Sequence, residues 1–308
     1  MPTAVTPEEL KTRLAAGLLS FPLTDFDAVD EFDAASYRRR IEWLAAYGAG
    51  AMFAAGGAGE FFSLTEREYV AVTAAAVSAA AGAVPVIAAT GYGTRMAVEF
   101  ARRAEELGAD GLLLLPPYLT EASQEGIAAH VEAVCAATRL GVIVYNRANC
   151  RIKAEVLVRI AEACPNLVGF KDGVGDLEEI LKVKALVGDR LLSINGMPTA
   201  EIYAQAYKGM GIPTYSSAIF NFVPRTAIAF HAWIQADDRE AVARFTRDFL
   251  APYGRLRARQ PGYAVSVIKA GADIVGRSAG RVRPPLSTLT PAEYGELAEL
   301  IAALGPQD

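Results

Sequence analysis

The sequence predicts an α/β fold, a (β/α)8 TIM barrel with a C-terminal helical extension. Eight short runs of aliphatic or β-branched residues recur along the chain, each ending in Gly, Pro, Asn or another polar residue. Segments of helical length, with apolar residues three and four apart, separate them. The runs are nearly continuous in apolar character, which implies burial on both faces, as in a parallel sheet. Eight such units fit a closed barrel better than an open sheet.

The first run, LLSFPLT (18–24), leads to the helix-patterned FDAASYRRRIEWLAAYG, and the second, AMFAAGG (51–57), passes into the glycine-rich GGAGE. Residues 69–94 then carry no charge and are long enough to span about 30 Å of hydrocarbon. Alanine adds little transfer energy, however, and Gly82 and Pro85 split the stretch into an alanine-rich helix and a short strand. No membrane span is expected. PVIAATG (85–91) precedes the helical TRMAVEFARRAEELG, and GLLLLPP (111–117) and GVIVYN (141–146) follow. KAEVLVRIAEACP is the next helical segment, before LVGFKDG (167–173), LLSING (191–196) and PTYSSA (213–218). Beyond the eighth run the pattern is helical only, through TAIAFHAWIQ, DREAVARFTRDFLAPYGRLRARQ and AVSVIKAGADIVG. The expected division is a barrel over residues 1–224 and an extension over 225–308 packed on it, with no clear linker between them.

Composition narrows the function. Of 308 residues, 52% are hydrophobic and 21% charged, enough to bury a large core. The net charge of −5 comes from 30 basic and 35 acidic residues spread without blocks, so no basic stripe marks a nucleic-acid partner. Cys135, Cys150 and Cys164 are odd in number and far apart, which speaks against a disulfide or zinc framework. The opening residues, MPTAVTPEELKTRL, lack the basic patch and apolar core of a secretory signal, and a cytoplasmic protein is expected. His130 and His231 lie in helix-patterned stretches, leaving a metal cluster or Ser-His-Asp relay without its parts. GYGTRMA lacks the third glycine of a dinucleotide fingerprint.

In such barrels the chemistry sits at the C-terminal ends of the strands. Lys171 follows Leu167, Val168, Gly169 and Phe170, so its stem emerges among apolar neighbours, where lost hydration disfavours the ammonium. A neutral amine there can condense with a ketone to form an imine. The alternative is a lysine paired with Asp172 or another acid at the rim. Tyr145 tilts the balance, because it ends the preceding run and adjacent strands lie about 4.8 Å apart, within reach of a proton handover. The backbone amides of Gly57, Ala58 and Gly59 could cradle a carboxylate, or simply form a tight turn. Arg147 and Arg151, in NRANCR, are both candidates for a forked grip on a carboxylate. Asn195, Ser216 and Ser217 complete the polar strand ends.

Together these residues resemble the class I aldolase family that includes dihydrodipicolinate synthase and N-acetylneuraminate lyase. The likeness rests on GGAGE with Glu60, on the Tyr145-Asn146 pair and on GFKD with Lys171. It continues through GEFFSLT, GADGLLLLPPYLTEASQEG, GVIVYNRAN, RVRPPL and PGYAVSVIKAGA, nearly end to end. Within the family these stretches most resemble members that dehydrate and decarboxylate a six-carbon keto diacid. The resemblance implies an imine on Lys171, proton transfer by Tyr145, a dicarboxylate sugar-acid substrate, no cofactor or metal, and a homodimer or homotetramer. A related 2-oxo acid aldolase and a sugar-acid-binding regulator are the alternatives. Two departures stand out. Gly57 and Ala58 occupy the loop where the synthase has a relay threonine, and Tyr118 in PPYLT is followed by Leu119. The loop after Tyr145 is one residue longer before Arg151, so the match between Arg147 and Arg151 stays open.

Overall fold

The computed structural model describes residues 5–117, 121–147 and 150–307. Each of the eight aliphatic runs holds one strand: β1 (Leu19–Ser20), β2 (Ala51–Ala54), β3 (Val86–Thr90), β4 (Gly111–Leu114), β5 (Gly141–Asn146), β6 (Leu167–Asp172), β7 (Leu192–Asn195) and β8 (Ser216–Ser217). They lie in the order β7-β6-β5-β4-β3-β2-β1-β8, and every neighbouring pair is parallel. The seam between β7 and β8 is joined by a parallel bridge, Asn195 to Tyr215, whose Asn195 amide donates to the Thr214 carbonyl at 2.9 Å.

A helix, α1 (Pro7–Ala15), precedes the barrel, started by Pro7 and a capping box in which Thr6 and Glu9 satisfy each other's amides. It closes the N-terminal end of the barrel. Leu10 is fully buried there, against Gly111 and Gly141 at the starts of β4 and β5, where a Cβ on either glycine would collide with the leucine. Each strand is then followed by its helix, in order α2 (Ala34–Ala45), α3 (Glu66–Ala80), α4 (Thr94–Glu106), α5 (Gln124–Ala136), α6 (Ala154–Ala163), α7 (Leu177–Val187), α8 (Ala204–Gly209) and α9 (Pro224–Gln235). The charge-free stretch is the end of α3 plus β3, and no helix among the described residues is long and apolar enough to cross a membrane. A boundary at 224/225 leaves α9 with the extension, although α9 follows β8 as the eighth helix of the alternation.

The extension proper is α10 (Arg239–Phe245), α11 (Ala251–Arg257), α12 (Tyr263–Ile274) and α13 (Pro291–Ala302). Its first stretch does not run as one helix. A π-helical turn over Thr246–Leu250 separates α10 from α11, just before Pro252, which has no amide to donate back into the preceding turn. The extension has no core of its own. Phe222 of the barrel stacks on Tyr253, and Tyr253 on Phe249, with ring centroids 6.0 and 5.8 Å apart, inside one apolar cluster that also holds β1 and β2. Two buried charges fasten it further. Arg40 pairs with Asp25 at 2.7 Å and donates to the carbonyls of Arg277 and Ser278. Lys269 of α12 pairs with Glu60 at 2.7 Å, and the second oxygen of Glu60 accepts the Arg283 amide at 2.9 Å.

Candidate active site

At the C-terminal ends of the strands lies a cavity of about 330 Å³ whose polar wall includes Lys171, Tyr145, Arg147 and Ser216. Register explains the first two. Tyr145 on β5 is the direct partner of Lys171 on β6, so both side chains point to the same face of the sheet. The next pair, Asn146 and Asp172, points the other way. Asp172 is therefore occupied on the outer face, accepting from Asn146 Nδ2 at 3.0 Å, Tyr207 Oη at 2.6 Å and the amides of Val174 and Gly175. It is not the partner of Lys171.

The Lys171 amine is buried and, among the described residues, makes no ion pair. It sits 3.7 Å from the centre of the Tyr145 ring and 5.0 Å from that of Phe21. Burial pushes its pKa below the ordinary value; Tyr145 opposes this, and the positive charge of Arg147 adds to the lowering. The Tyr145 hydroxyl donates to the Gly196 carbonyl at 2.8 Å and accepts from Arg147 Nη1 at 3.1 Å. For the phenol, burial acts upward, but the charges of Lys171 and Arg147 outweigh it and bring the pKa below the ordinary range.

Two glycines make room for this pair. A Cβ on Gly196 would lie 2.5 Å from Lys171 Cγ and 2.7 Å from Nζ, and one on Gly173 would lie 2.9 Å from the Tyr145 hydroxyl. All three distances are inside van der Waals contact. Gly196→Ala should therefore displace the amine, lowering kcat at least about a hundredfold, the cost of misplacing a reacting group by about 1 Å. Steady-state rates measured beside circular dichroism would check this; an active, folded Gly196→Ala enzyme would contradict the geometry.

The remaining sequence candidates divide. Gly57 and Ala58 line the cavity, and among the described residues their amides donate to no protein acceptor. Gly59 does not line it: its carbonyl accepts from Thr24 at 2.7 Å, and a Cβ would press on Ala55, Gly56 and Pro22. Ser216 lines the wall, its hydroxyl 3.4 Å from the Asn195 carbonyl. Ser217 also touches the cavity, but its hydroxyl is committed to the buried Glu201 at 2.6 Å. Asn195 departs from expectation. It is register partner to Asp172, so it shares the outer face, where it donates to Ala200 and accepts from Met197. Its neighbour Gly196 faces the cavity instead. The two arginines separate as well: Arg147 reaches the Lys171 cavity, whereas Arg151 lines a second one of about 190 Å³ outside the barrel, with Gln124 and Lys153. Tyr118 lies outside the described residues.

Sequence reasoning missed much of the apolar wall. Phe21, Phe62, Leu113 and Leu115 come from barrel strands and loops, and Val265 and Ile268 come from α12 of the extension. Met197, Pro198 and Thr199 close one side, with Thr199 at a positive φ of 52°. The NG step after β7 was the available signal for Gly196. The helical AVSVIKAGADIVG announces α12 itself, but nothing local says that it reaches the cavity of Lys171. Glu60 also turns out to serve the loop rather than the cavity, through its pair with Lys269. His130 contacts Thr94 at 3.0 Å and His231 packs beside Tyr215, both away from Lys171, and no group of metal-binding side chains occurs among the described residues.

Fold and site together define a class: a (β/α)8 barrel whose mouth presents a buried lysine against a tyrosine, with no ion pair to the lysine among the described residues. Residues 14–304 match the dihydrodipicolinate synthetase family, and the chain belongs to it. It is 57% identical to a protein of Azotobacter vinelandii over 303 residues, covering 98% of this chain and 100% of that one. A Variovorax paradoxus protein is 57% identical and a Pseudomonas putida protein 55%, each over 303 residues and 98% of this chain. All three are described as probable 5-dehydro-4-deoxyglucarate dehydratases. Among solved structures, dihydrodipicolinate synthase from Bacillus clausii superposes with a TM-score of 0.88 at 26% identity, covering 96% of this chain and 100% of that one. The Oceanobacillus iheyensis synthase gives 0.88 at 24%, covering 97% and 99%, a likeness of fold.

Proposed function

We propose that the protein is a decarboxylating dehydratase, converting 5-dehydro-4-deoxy-D-glucarate to 2,5-dioxopentanoate, carbon dioxide and water through an imine on Lys171. The observation that carries the imine is the Lys171 amine itself: buried, without an ion pair among the described residues and facing Tyr145 in the strand-end cavity. The substrate follows from the relatives, whose likeness spans 98% of the chain.

Neutral Lys171 attacks the C5 ketone, and Tyr145 delivers a proton to the oxygen as it leaves as water. The iminium acidifies C4. Loss of a C4 proton gives an enamine, whose electrons expel the C3 hydroxyl as a second water, leaving a conjugated iminium. The C1–C2 bond then breaks, its electron pair flows into the iminium, and C1 leaves as carbon dioxide. Protonation at carbon and tautomerisation of the C2 enol give the aldehyde, and hydrolysis of the imine takes up one water and frees Lys171. The net products are one carbon dioxide, one water and 2,5-dioxopentanoate. The amides of Gly57 and Ala58 are suited to the carboxylate beside the imine, and Ser216 to a hydroxyl of the substrate. Ser217, Asn195, Gly59 and Arg151 are less suited, being committed or remote.

The test supplies purified enzyme with 5-dehydro-4-deoxyglucarate and measures carbon dioxide and aldehyde together. Equal amounts of both are expected. Pyruvate would mark an aldolase, and binding without consumption a regulator. Tyr145→Phe should lower kcat by about 10²–10⁴-fold while leaving substrate binding largely intact, as single-turnover and equilibrium binding would show; an unchanged chemical step would remove Tyr145 from the mechanism. We further place the enzyme in the cytoplasm, where its three buried free thiols suit a reducing environment. A homodimer or homotetramer suits the exposed Leu177 and Leu181, one turn apart on α7.

A further inference from the structure

Among the described residues the Tyr145 hydroxyl meets the Gly196 carbonyl, Arg147 Nη1 and the Lys171 amine, and the amine is uncharged in the form that attacks a ketone. Among the described residues no second hydroxyl or carboxylate touches it, and the loop facing the cavity offers Gly57 and Ala58, whose side chains carry no proton to relay. A tyrosine that gives up its proton here becomes an anion in a buried site. The Gly196 carbonyl cannot stabilise that anion, because it only accepts. A guanidinium can: it keeps its charge at any working pH and donates directly to the phenolate oxygen.

Resting on the imine mechanism proposed above, we infer that Arg147 is a positioning residue that stabilises the deprotonated form of Tyr145 and thereby lets one phenol serve alternately as acid and base. Arg147 is held for this task at both ends. Its backbone forms a two-way bridge with Cys150, amide to carbonyl at 3.3 and 2.8 Å, and its side chain passes over Gly173, where a Cβ would come within 3.1 Å of Arg147 Cδ. The guanidinium lies 5.6 Å from the Tyr145 ring centre, and the Lys171 amine 3.7 Å from it. One fixed positive charge therefore disfavours the ammonium and favours the phenolate, moving both groups toward the states in which the lysine attacks and the tyrosine accepts a proton.

The charges facing Tyr145 are Lys171 from β6 and Arg147 from the end of its own strand, with the Tyr207 phenol of α8 within electrostatic reach. Asp172 acts on Lys171 from the outer face. Arg147 lowers the pKa of both site groups, in agreement with the geometry. This role differs from a grip on a substrate carboxylate, and the two have different kinetic signatures.

The experiment follows tyrosinate absorbance during a pH titration of the free enzyme, with Tyr145→Phe subtracted to isolate Tyr145, alongside pH profiles of kcat and KM. Arg147→Gln keeps a donor but removes the charge. It should raise the Tyr145 titration by about one pH unit or more, the scale of one nearby charge. It should also lower kcat by about tenfold to a hundredfold with KM changed less than about threefold, and Arg147→Lys should restore much of both. An unmoved tyrosinate titration, or a loss confined to KM, overturns the inference. If Arg147→Gln folds poorly, the wild-type titration decides: Tyr145 titrating at or above the ordinary tyrosine range also overturns it. Borohydride trapping of substrate on wild-type Lys171 runs in parallel. Absence of an adduct would refute the imine mechanism, while an adduct with an unmoved tyrosinate would refute only the role of Arg147.

Discussion

Lys171→Ala should reduce turnover on the order of 10⁶-fold, the scale seen when a covalent nucleophile is removed. Borohydride added with substrate should trap an adduct on the wild-type enzyme at Lys171 and none on the variant, as peptide mass mapping would record. The stability of the fold should move the other way. Among the described residues the buried amine makes no ion pair, and Tyr145 and Asp172 offset only part of its lost hydration, so Lys171→Met should be at least as stable as wild type. The pH dependence follows from the direction of the shift. Attack needs the neutral amine, so kcat/KM should fall as pH drops through the Lys171 pKa, which lies below the ordinary 10.5. Stability has the same sign: between the folded and unfolded pKa values the unfolded chain binds more protons, so wild type loses stability as pH falls through that window. Lys171→Met should lack this slope. Turnover by Lys171→Ala at a rate near wild type would end the imine mechanism.

Lys269→Met should destabilise the protein by about 3–5 kcal/mol, the cost of leaving one charge of a buried pair alone. The side chains of Lys269 and Glu60 are 3% and 0% exposed, and the variant leaves the buried Glu60 carboxylate with the Arg283 amide but without its ammonium partner. Adding Glu60→Gln should recover most of the loss, because the amide still accepts the Arg283 backbone proton and carries no charge. Urea titrations of the four proteins in the cycle measure the coupling. Additive losses would mean that the pair is not the fastening between α12 and the glycine-rich loop. Activity should follow stability only in part, since the loop carries Gly57 and Ala58 at the cavity wall.

Much of the fold was legible because buried parallel strands advertise themselves as apolar runs, and each run held its strand. Lys171 and Tyr145 stood out for a related reason: each closes such a run, and as register partners they share one face, whereas Asp172, one residue on, takes the other. What failed was phase. Whether Asn195 or Gly196 looks inward depends on how β7 is registered against β6, and a four-residue strand does not state its partner's register. The choice between Arg147 and Arg151 depended on the path of a loop, which spacing alone does not trace. The wall contributed by Val265 and Ile268 depends on where α12 docks, a tertiary fact with no local mark. α1 and α13 were readable in principle, since both open on a threonine, a proline and a glutamate three residues on. The break in the α10–α11 stretch has its mark in Pro252.

With Leu10 stoppering the floor of the barrel, the reaction chamber is shut at that end and its doorway lies at the strand ends. Substrate, escaping gas, the water that frees the lysine and the departing aldehyde then share the strand end of the chamber, whose lining includes Phe62, Val265 and Ile268. Traffic is therefore a queue, and a bulkier side chain at that threshold would slow every passenger while leaving the chemistry inside untouched.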